Sequence, residues 1–363
     1  MNRIAADRRA LHRIPELDRD LPRTLAYLRD ALSGLRCELF SPIPGALCAW
    51  FDNGAEKALA FRSDADALPV AEATDAPYAS AHPGRMHACG HDGHMAMLLE
   101  LARRLDGTES DRNYLLIFQP AEETTGGAHD ICETGILAER GVEALFGLHL
   151  WPGLEKGTIF SRANEMMARS CEVTIEIEGK SAHIAQPEHG HDALLAGLDI
   201  LSRAREIEAA QPPETFRVLR FGRMESGTAR NAVSAHTRIE GTLRAFQDEI
   251  FFAMRDGLQQ AVDAAASTGC HAALTTSEGY PAVMNPPALC ERLRALGIEY
   301  RELERPAMTT EDFSWYQHYV PAMFFFLGLG DTPALHAANF DFDESVLDAG
   351  ADFLETLARQ YRA

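Results

Sequence analysis

A thiol, two imidazoles and a carboxylate lie close together in segment 86–94 of the chain. They belong to Cys89, His91, Asp92 and His94. Thiolates and imidazoles bind borderline-soft divalent metal ions such as zinc, and a carboxylate widens the choice of metal. Because a single Cys-x-His pair is more often an ordinary polar loop, the interpretation as a metal site depends on further candidates elsewhere in the chain.

Two adjacent carboxylates, Glu122 and Glu123, follow the apolar segment 114–118 after a short connection. That segment predicts a buried strand, and open α/β sheets bind their ligands beyond the carboxyl ends of the strands. Adjacent side chains point in different directions. We therefore expect Glu123 to bind metal and Glu122 to act as general base on an attacking water, with a solvated acidic turn as the alternative.

Two further histidines are associated with apolar segments. His149 ends the run that begins at residue 144, and His336 lies in a loop after segment 322–329. A lone histidine in such a place is usually a satisfied core or surface residue. Together with the candidates above, these two would complete the ligands for two divalent ions. We expect zinc or manganese, with nickel and cobalt as alternatives.

Short apolar segments separated by helical patterns predict the elements that position these side chains. Segments 58–62, 114–118 and 144–148 predict buried strands, and residues 95–105 carry apolar side chains at helical spacing. This alternation predicts an α/β fold with a mainly parallel sheet. The strand-like segment 323–327 and the helical segment 344–362 would return to the same sheet.

The pattern changes near residue 169, because segment 170–178 alternates apolar and polar residues as a strand with one solvated face does. The segments that follow complete a βαββαβ order: 192–210, 215–221, 237–244, 247–267 and 272–277. This order predicts a smaller α+β domain inserted into the first. We expect a metal-binding catalytic domain at 1–168 and 278–363, and an inserted satellite domain for lid movement or dimerisation at 169–277.

Composition excludes several classes of protein. A length of 363 residues favours two domains, and a formal net charge of -20 disfavours nucleic acid and anionic membrane surfaces as partners. Residues 1–9 lack the apolar core of a secretory signal, and the longest apolar stretches are too short to span a bilayer. Seven cysteines without a framework pattern fit a reducing compartment. We expect a cytoplasmic protein.

The motifs, taken together, resemble the aminoacylase/carboxypeptidase metallopeptidase family. The closest branch is the amidohydrolases that include hippurate hydrolase and the auxin-conjugate hydrolases. The matching positions run in family order over nearly the whole chain: 11–16, 62–69, 87–94, 120–123, 147–149, 179–183, 231 and 310–313. The resemblance implies the fold proposed above and an activity on amide bonds.

The resemblance also implies a role for each metal-site candidate. Cys89 matches a ligand that bridges the two metals as a thiolate. Glu122 matches the general base. The remaining metal ligands match His91, Glu123, His149 and His336. The implied cofactor is therefore two divalent ions per chain.

Four residues match supporting roles. His183 matches the satellite-domain histidine that stabilises the oxyanion, which in dimeric relatives acts across the subunit interface, and Asn231 matches a substrate-binding residue. Asp64 and Asp66 match an acidic motif near the metals, where orienting a ligand or stabilising the fold is as fitting a role as catalysis. The implied partner is a second copy of the chain, bound through the satellite domain.

The implied function is metal-dependent hydrolysis of the amide bond of N-acyl amino acids. Two ions would lower the pKa of a shared water, and Glu122 would take its proton. A dipeptidase or carboxypeptidase of the same family is the alternative, and a non-catalytic binding paralogue is a further one. The last should lack a ligand or the base, and all are present here. The chain departs from many relatives at 188–191, where Glu-His-Gly-His stands in place of a histidine directly after Pro187.

Overall fold

The computed structural model describes residues 2–362, which divide into two compact units. The larger unit comprises the chain up to residue 166, residues 284–305 and the chain from residue 312 onward. The smaller unit comprises residues 167–283 and 306–311. Segment 306–311 belongs to the smaller unit although the sequence boundaries placed it in the catalytic domain. It does so because the Ala168 amide donates to the carbonyls of Ala307 and Thr309, at 3.2 and 2.9 Å.

The predicted strands and helices occur in the predicted order, together with shorter strands and further helices that were not predicted. The strands are β1 (Glu38–Phe40), β2 (Leu47–Phe51), β3 (Ala58–Asp64), β4 (Asn113–Gln119), β5 (Val142–Trp151), β6 (Ile159–Ser161), β7 (Asn164–Met167), β8 (Arg169–Glu178), β9 (Arg217–Ser226), β10 (His236–Ala245), β11 (His271–Thr276), β12 (Val283–Asn285), β13 (Arg301–Glu302) and β14 (Ala322–Gly328). The α-helices are α1 (Arg3–His12), α2 (Pro22–Leu32), α3 (His91–Leu105), α4 (Ala128–Glu133), α5 (Ile136–Glu139), α6 (Ala193–Ala209), α7 (Asp248–Asp263), α8 (Pro287–Ala295) and α9 (Val346–Gln360). Short 3₁₀ helices cover Pro187–His189, Ala264–Thr268 and Asp312–His318.

The larger unit is built on an eight-stranded sheet in the order β1-β2-β4-β3-β5-β14-β6-β13. β3 pairs in parallel with β4 and β5, and β5 pairs in parallel with β14. Every residue of β3, β4 and β14 is buried, as expected for strands covered on both faces. The prediction of a mainly parallel α/β sheet is confirmed.

Helix α3 is the central helix of the larger unit. It packs against α1, α9 and β3, and its residues from His91 to Leu99 are all buried. The predicted helix began at residue 95, but the structure begins it at His91, so the metal-site candidates His91 and His94 lie in its first turn and not in the preceding loop. Four strands or helices therefore meet near the site: the ends of β3 and β4, the interior of β5, and the start of α3.

The smaller unit has the predicted βαββαβ order. Its four strands form an antiparallel sheet in the order β11-β8-β10-β9, and α6 and α7 pack on it. Alternate residues of β8, namely Val173, Ile175 and Ile177, are buried with those helices. This period-two pattern is the signal from which the strand was predicted, and the α+β class of the inserted domain is confirmed.

Within residues 2–362, no helix is long and apolar enough to cross a membrane. The seven cysteines are all free thiols.

Candidate active site

Five of the predicted catalytic and metal-binding residues lie together in the larger unit. They are Cys89, His91, Glu122, Glu123 and His149. β4 ends at Gln119, just before the two glutamates, and β5 carries His149. Cys89 and His91 lie at the start of α3. The cluster is buried: His91 is 1% exposed, and Glu122 is 8% exposed.

The loop 120–127 presents the two glutamates by means of an unusual turn. Ala121 adopts a left-handed conformation with φ 61°, which is uncommon for a residue with a Cβ atom. The Gly126 amide donates back to the Ala121 carbonyl at 2.8 Å and closes the turn. Such a conformation persists where surrounding contacts determine it, and these tend to occur at functional sites.

Asp66 fixes the middle of this loop. Its carboxylate is fully buried and accepts the backbone N–H groups of Glu122 and Glu123, each at 3.1 Å. Its own carbonyl accepts Nδ1–H of His91 at 2.9 Å. One residue therefore contacts the backbone of the predicted base and two predicted metal ligands, and these contacts favour the orienting role over the catalytic alternative for Asp66.

Hydrogen bonding leaves Nε2 of His91 available as a ligand. Since Nδ1 donates to the Asp66 carbonyl, the lone pair of the neutral ring is on Nε2. That atom has no hydrogen-bond partner among the described residues and lies 3.7 Å from Oε1 of Glu123. Oε1 of Glu123 is also buried and lacks a hydrogen bond within residues 2–362. Unsatisfied buried polar atoms of this kind require an explanation, and a bound cation supplies one.

His149 is oriented in the same way. Its Nδ1–H donates to the Leu150 carbonyl at 2.7 Å, so its Nε2 lone pair faces Sγ of Cys89 at 3.5 Å. Burial lowers the pKa of His149 well below its ordinary value, and the neighbouring His94 ring adds to this effect. A neutral imidazole is the form that binds metals.

His336 lies at the edge of the cluster. Its Nε2 atom is 3.3 Å from Oε1 of Glu123, and its side chain is 53% exposed. The backbone has φ 66°, and the His336 amide donates to the Ala88 carbonyl at 2.8 Å. The structure therefore brings this distant histidine to the segment that contains Cys89.

These residues fit a metal centre. Ligand atoms of Cys89, His91 and Glu123 all lie within 4.8 Å of one another. Sulfur, imidazole nitrogen and carboxylate oxygen together suit borderline divalent ions. His149 and His336 lie beside this group, 3.5 Å from Cys89 and 3.3 Å from Glu123, and the assignment of the five residues as ligands stays a prediction.

His94 lies inside a second possible ligand group with Asp64, His91 and His149, but its hydrogen bonds exclude it. Its Nε2 accepts the Leu150 N–H at 2.9 Å, so the proton is on Nδ1, which donates to Asp64 at 2.6 Å. Both ring nitrogens are therefore used. His94 supports the strand that carries His149, and Asp64 is occupied by His94 and by Arg62 at 3.0 Å.

In the absence of metal, the charges at the centre hold protons on two of the predicted ligands. Burial raises the pKa of Cys89 well above its ordinary value, and the carboxylates of Glu123, Glu122 and Asp64 raise it further. Burial alone would lower the pKa of His91, but Asp64, Asp66 and Glu123 raise it to about 10. Binding of a divalent ion must therefore displace protons from both groups.

Sequence reasoning missed a buried ion pair next to the centre. The Arg8 guanidinium is fully buried and its Nε donates to Asp92 at 3.0 Å, while Nδ1 of His12 lies 2.8 Å from the same oxygen. Burial alone would raise the pKa of Asp92, but Arg8 and His12 lower it. Asp92 is thus a paired structural carboxylate beside His91. The signal available was only that Arg8 and His12 are four residues apart, a spacing that would place them on one face of a helix.

His183 and Asn231 lie next to each other in the smaller unit. The Ile184 amide donates to the Asn231 carbonyl at 3.0 Å, and both predicted residues are exposed on the surface of that unit. Nδ1 of His183 accepts the Ala185 N–H at 3.2 Å, so the neutral ring carries its proton on Nε2. This leaves an exposed N–H donor.

Comparison with known proteins gives a consistent result. The model of peptidase family M20/M25/M40 matches residues 60–360. The chain is 34% identical over 362 residues to the N-acetyldiaminopimelate deacetylase of Limosilactobacillus fermentum, covering 96% of this chain and 94% of that protein. It is 32% identical over 377 residues to an uncharacterized hydrolase of Staphylococcus epidermidis, covering 99% and 98%. The crystal structure of YXEP from Bacillus subtilis, a dinuclear metal binding peptidase from the M20 family, superimposes with a TM-score of 0.83 at 30% identity, covering 98% of this chain and 96% of that one.

Proposed function

The chain belongs to peptidase family M20/M25/M40, and from this premise we propose that it hydrolyses the amide bond of N-acyl amino acids with two bound divalent ions. It is a hydrolase that acts on amide bonds. The observation that supports the finer proposal is the convergence of Cys89, His91, Glu123 and His149 beside the carboxylate of Glu122, in a buried cluster where Nε2 of His91 and Oε1 of Glu123 lie 3.7 Å apart and Nε2 of His149 lies 3.5 Å from Sγ of Cys89.

The proposed metal ligands are Cys89, His91, Glu123, His149 and His336. Bound divalent ions supply positive charge that lowers the pKa of a water and polarises a carbonyl group. The protein's own contribution is to fix the ligands, through the hydrogen bonds from Nδ1 of His91 and of His149.

Glu122 is the proposed general base. Its carboxylate lies 4.0 Å from Nε2 of His91, and its backbone is held by Asp66. A carboxylate held beside metal ligands is placed to take the proton of the attacking water and to deliver it to the leaving nitrogen. Glu123, the next residue, contacts His336 and His91, so the two neighbours divide the roles of base and ligand.

His183 is proposed to stabilise the oxyanion that forms when water adds to the amide carbonyl. Its Nε2–H is a donor at the surface of the smaller unit, and its Nδ1 is held by the Ala185 amide. A donor directed at developing charge contributes about 3 kcal/mol to transition-state stabilisation in comparable enzymes. Asn231, adjacent through its backbone, is proposed to contact the substrate.

The smaller unit is also the proposed dimer interface. Leu194, Leu195 and Leu198 on α6 are 46%, 57% and 57% exposed, and β9 is an edge strand of the four-stranded sheet. An exposed apolar face and an unpaired edge are characteristic of a surface that binds another chain. A second copy of this chain satisfies both features, because a twofold axis brings identical edges together.

The proposal is tested by assaying enzyme reconstituted with zinc, manganese, nickel or cobalt. The panel contains N-acetyl, N-benzoyl and indole-acyl amino acids, N-acetyldiaminopimelate and a set of dipeptides. Higher kcat/KM on N-acyl amino acids than on dipeptides supports the proposal. The reverse preference would identify a dipeptidase, and hydrolysis of none of them by metal-loaded protein would contradict it.

A further inference from the structure

The segment 310–313, which the sequence singled out without a role, contains a buried carboxylate that contacts the loop of the two glutamates. Asp312 is fully buried in the larger unit. Its oxygens accept hydrogen bonds from groups at both ends of loop 120–127. Nε2 of Gln119, just before the loop, donates at 2.7 and 2.9 Å, and the amides of Gly127 and Ala128, at its end, donate at 2.8 and 3.0 Å.

The two ends of this loop are unusually close. A Cβ atom on Gly127 would lie 2.2 Å from the Pro120 carbonyl oxygen, so only glycine fits there. Asp312 lies at this closure and bonds to both sides of it. Helix α4, which starts at Ala128, has no side-chain cap from its own N-cap residue, and Asp312 supplies that cap from a distant part of the chain.

Further buried bonds hold Asp312 itself. Nη2 of Arg62 donates to it at 2.7 Å, while Nε of Arg62 donates to Oε1 of Gln119 at 2.8 Å. The Tyr316 hydroxyl donates to the same oxygen at 3.0 Å. Each polar atom of the Gln119 side chain is thereby oriented, so its amide must point its N–H groups at Asp312. Satisfied buried networks of this kind are rigid.

The next residue of the same segment packs against the strand that carries another predicted ligand, His149. Phe313 is fully buried, and a Cβ atom on Gly147 would lie 2.6 Å from its ring. Gly147 is two residues before His149 on β5. The segment 310–313 thus contacts both the loop of the glutamates and the strand of the histidine.

We infer that Asp312 is a positioning residue for catalysis, which fastens both ends of loop 120–127 and so holds Glu122 and Glu123 in place. Asp66 fixes the middle of the loop and Asp312 fixes its ends. The inference depends on the proposed function only for the roles of the two glutamates. Loss of the hydrogen bonds that Asp312 accepts should misplace a base and a metal ligand together. Loss of a purely structural carboxylate would affect folding alone.

The test compares Asp312→Asn with a matched control, Glu16→Gln. Glu16 is also a buried carboxylate that caps a helix, since it accepts the amides of Arg23 and Thr24 at the start of α2, but it does not contact the loop. In Asp312→Asn, an NH2 group replaces one of the two oxygens that face N–H donors. The side chain therefore cannot accept all the hydrogen bonds that Asp312 accepts. We expect kcat on the substrate of the wild-type enzyme to fall about 10–100-fold with KM nearly unchanged, because small misplacements of reacting groups reduce rates by that order.

Metal affinity provides a readout that needs no substrate. Competition with a chromophoric chelator should show weaker binding of zinc by Asp312→Asn, about 10-fold or more, and wild-type binding by Glu16→Gln. If both variants unfold at lower temperature but keep wild-type kcat and metal affinity, Asp312 is structural only and the inference is wrong. Should wild-type protein hydrolyse no N-acyl amino acid, the proposed function fails while the affinity comparison still decides the role of Asp312.

A second variant covers the case in which Asp312→Asn does not fold. Gln119→Met keeps the approximate shape of the side chain and removes the two hydrogen bonds from Nε2 of Gln119 to Asp312 at the start of the loop. The folded protein should show the same pattern, lower kcat and weaker zinc binding at unchanged KM. Wild-type values for both quantities in Gln119→Met would overturn the inference.

Discussion

Hydrogen bonds at single nitrogen atoms divide the roles of three neighbouring histidines. His91 and His149 each donate through Nδ1 to a carbonyl, which leaves Nε2 of each ring facing the centre. His94 uses both nitrogens, one on Asp64 and one on the Leu150 amide. Residue type alone made all three equivalent as ligands, and the hydrogen-bond partners of each ring distinguish them.

The protonation state of Cys89 gives a prediction at the residue scale. Because burial and nearby carboxylates raise its pKa, the thiol of the metal-free protein is protonated at neutral pH, and the proposed metal-bound thiolate would form only when metal binds. Adding zinc to metal-free protein in weak buffer should release protons, and zinc affinity should increase with pH. Cys89→Ser should release about one proton fewer and bind less metal.

Iodoacetamide provides the control for this prediction. Cys89 should be alkylated more slowly in the metal-loaded than in the metal-free protein, whereas the rate at Cys37, which is only partly buried, should not change with metal. Equal proton release by wild-type protein and Cys89→Ser, or full retention of metal by that variant, would contradict a metal-bound thiolate.

At the scale of elements, the sequence predicted the longer strands and helices and their order because apolar periodicity is a local signal. It also predicted that the two glutamates follow a strand, as they do, whereas His91 lies in the first turn of α3 and His149 lies within β5. It did not predict the partners of Asp312 or of His94, because Asp312 bonds to residues more than a hundred positions away and His94 to the backbone of β5. Such contacts depend on how the elements pack, which periodicity does not encode.

The contact between helix α1 and the chain after β14 gives a prediction about stability. Arg8 donates to Asp341 at 2.7 Å, and the Tyr78 hydroxyl donates to its other oxygen at 2.7 Å. Burial alone would raise the pKa of Asp341, but Arg8 and Tyr78 lower it below its ordinary value. A carboxyl with a lowered pKa in the folded state stabilises the fold above its unfolded pKa, and this contribution is lost as the pH falls through the folded value.

Asp341→Asn should therefore reduce the free energy of unfolding at pH 7 by about 1–2 kcal/mol, with the difference from wild type becoming smaller as the pH falls below the ordinary aspartate pKa of 3.8. Urea unfolding across this pH range measures it. Asp331→Asn, at an exposed position in the loop after β14, controls for removal of one negative charge. A difference between wild type and Asp341→Asn that does not change with pH would show that the carboxylate charge is not what stabilises this contact.

At the scale of the whole molecule, the proposed catalytic groups are divided between the two compact units. The predicted metal ligands and Glu122 belong to the larger unit, while His183 and Asn231 belong to the smaller one, whose α6 and β9 are proposed to bind a second copy. In that arrangement a single chain need not supply all the groups of one site.

Mixing of inactive variants tests whether His183 acts across the dimer. His183→Ala should lose most of its turnover with little change in metal content, because an oxyanion donor acts mainly in the transition state. After subunit exchange with Glu122→Gln, a hybrid dimer has one site with both groups intact, so activity should recover to about a quarter of wild type. No recovery despite exchange, followed with differently tagged chains, would place the action of His183 within its own chain.

The central claim, that Glu122 is the base at a metal centre held by Glu123, is tested most directly by comparing Glu122→Gln with Glu123→Gln. Both changes remove one negative charge from adjacent residues of the same loop. The measurements are metal content by elemental analysis and kcat under saturating zinc or manganese. Glu122→Gln should keep the wild-type metal content and lose roughly 10²–10⁴-fold in kcat, whereas Glu123→Gln should lose bound metal. A metal-loaded Glu122→Gln enzyme with near wild-type kcat would contradict the account.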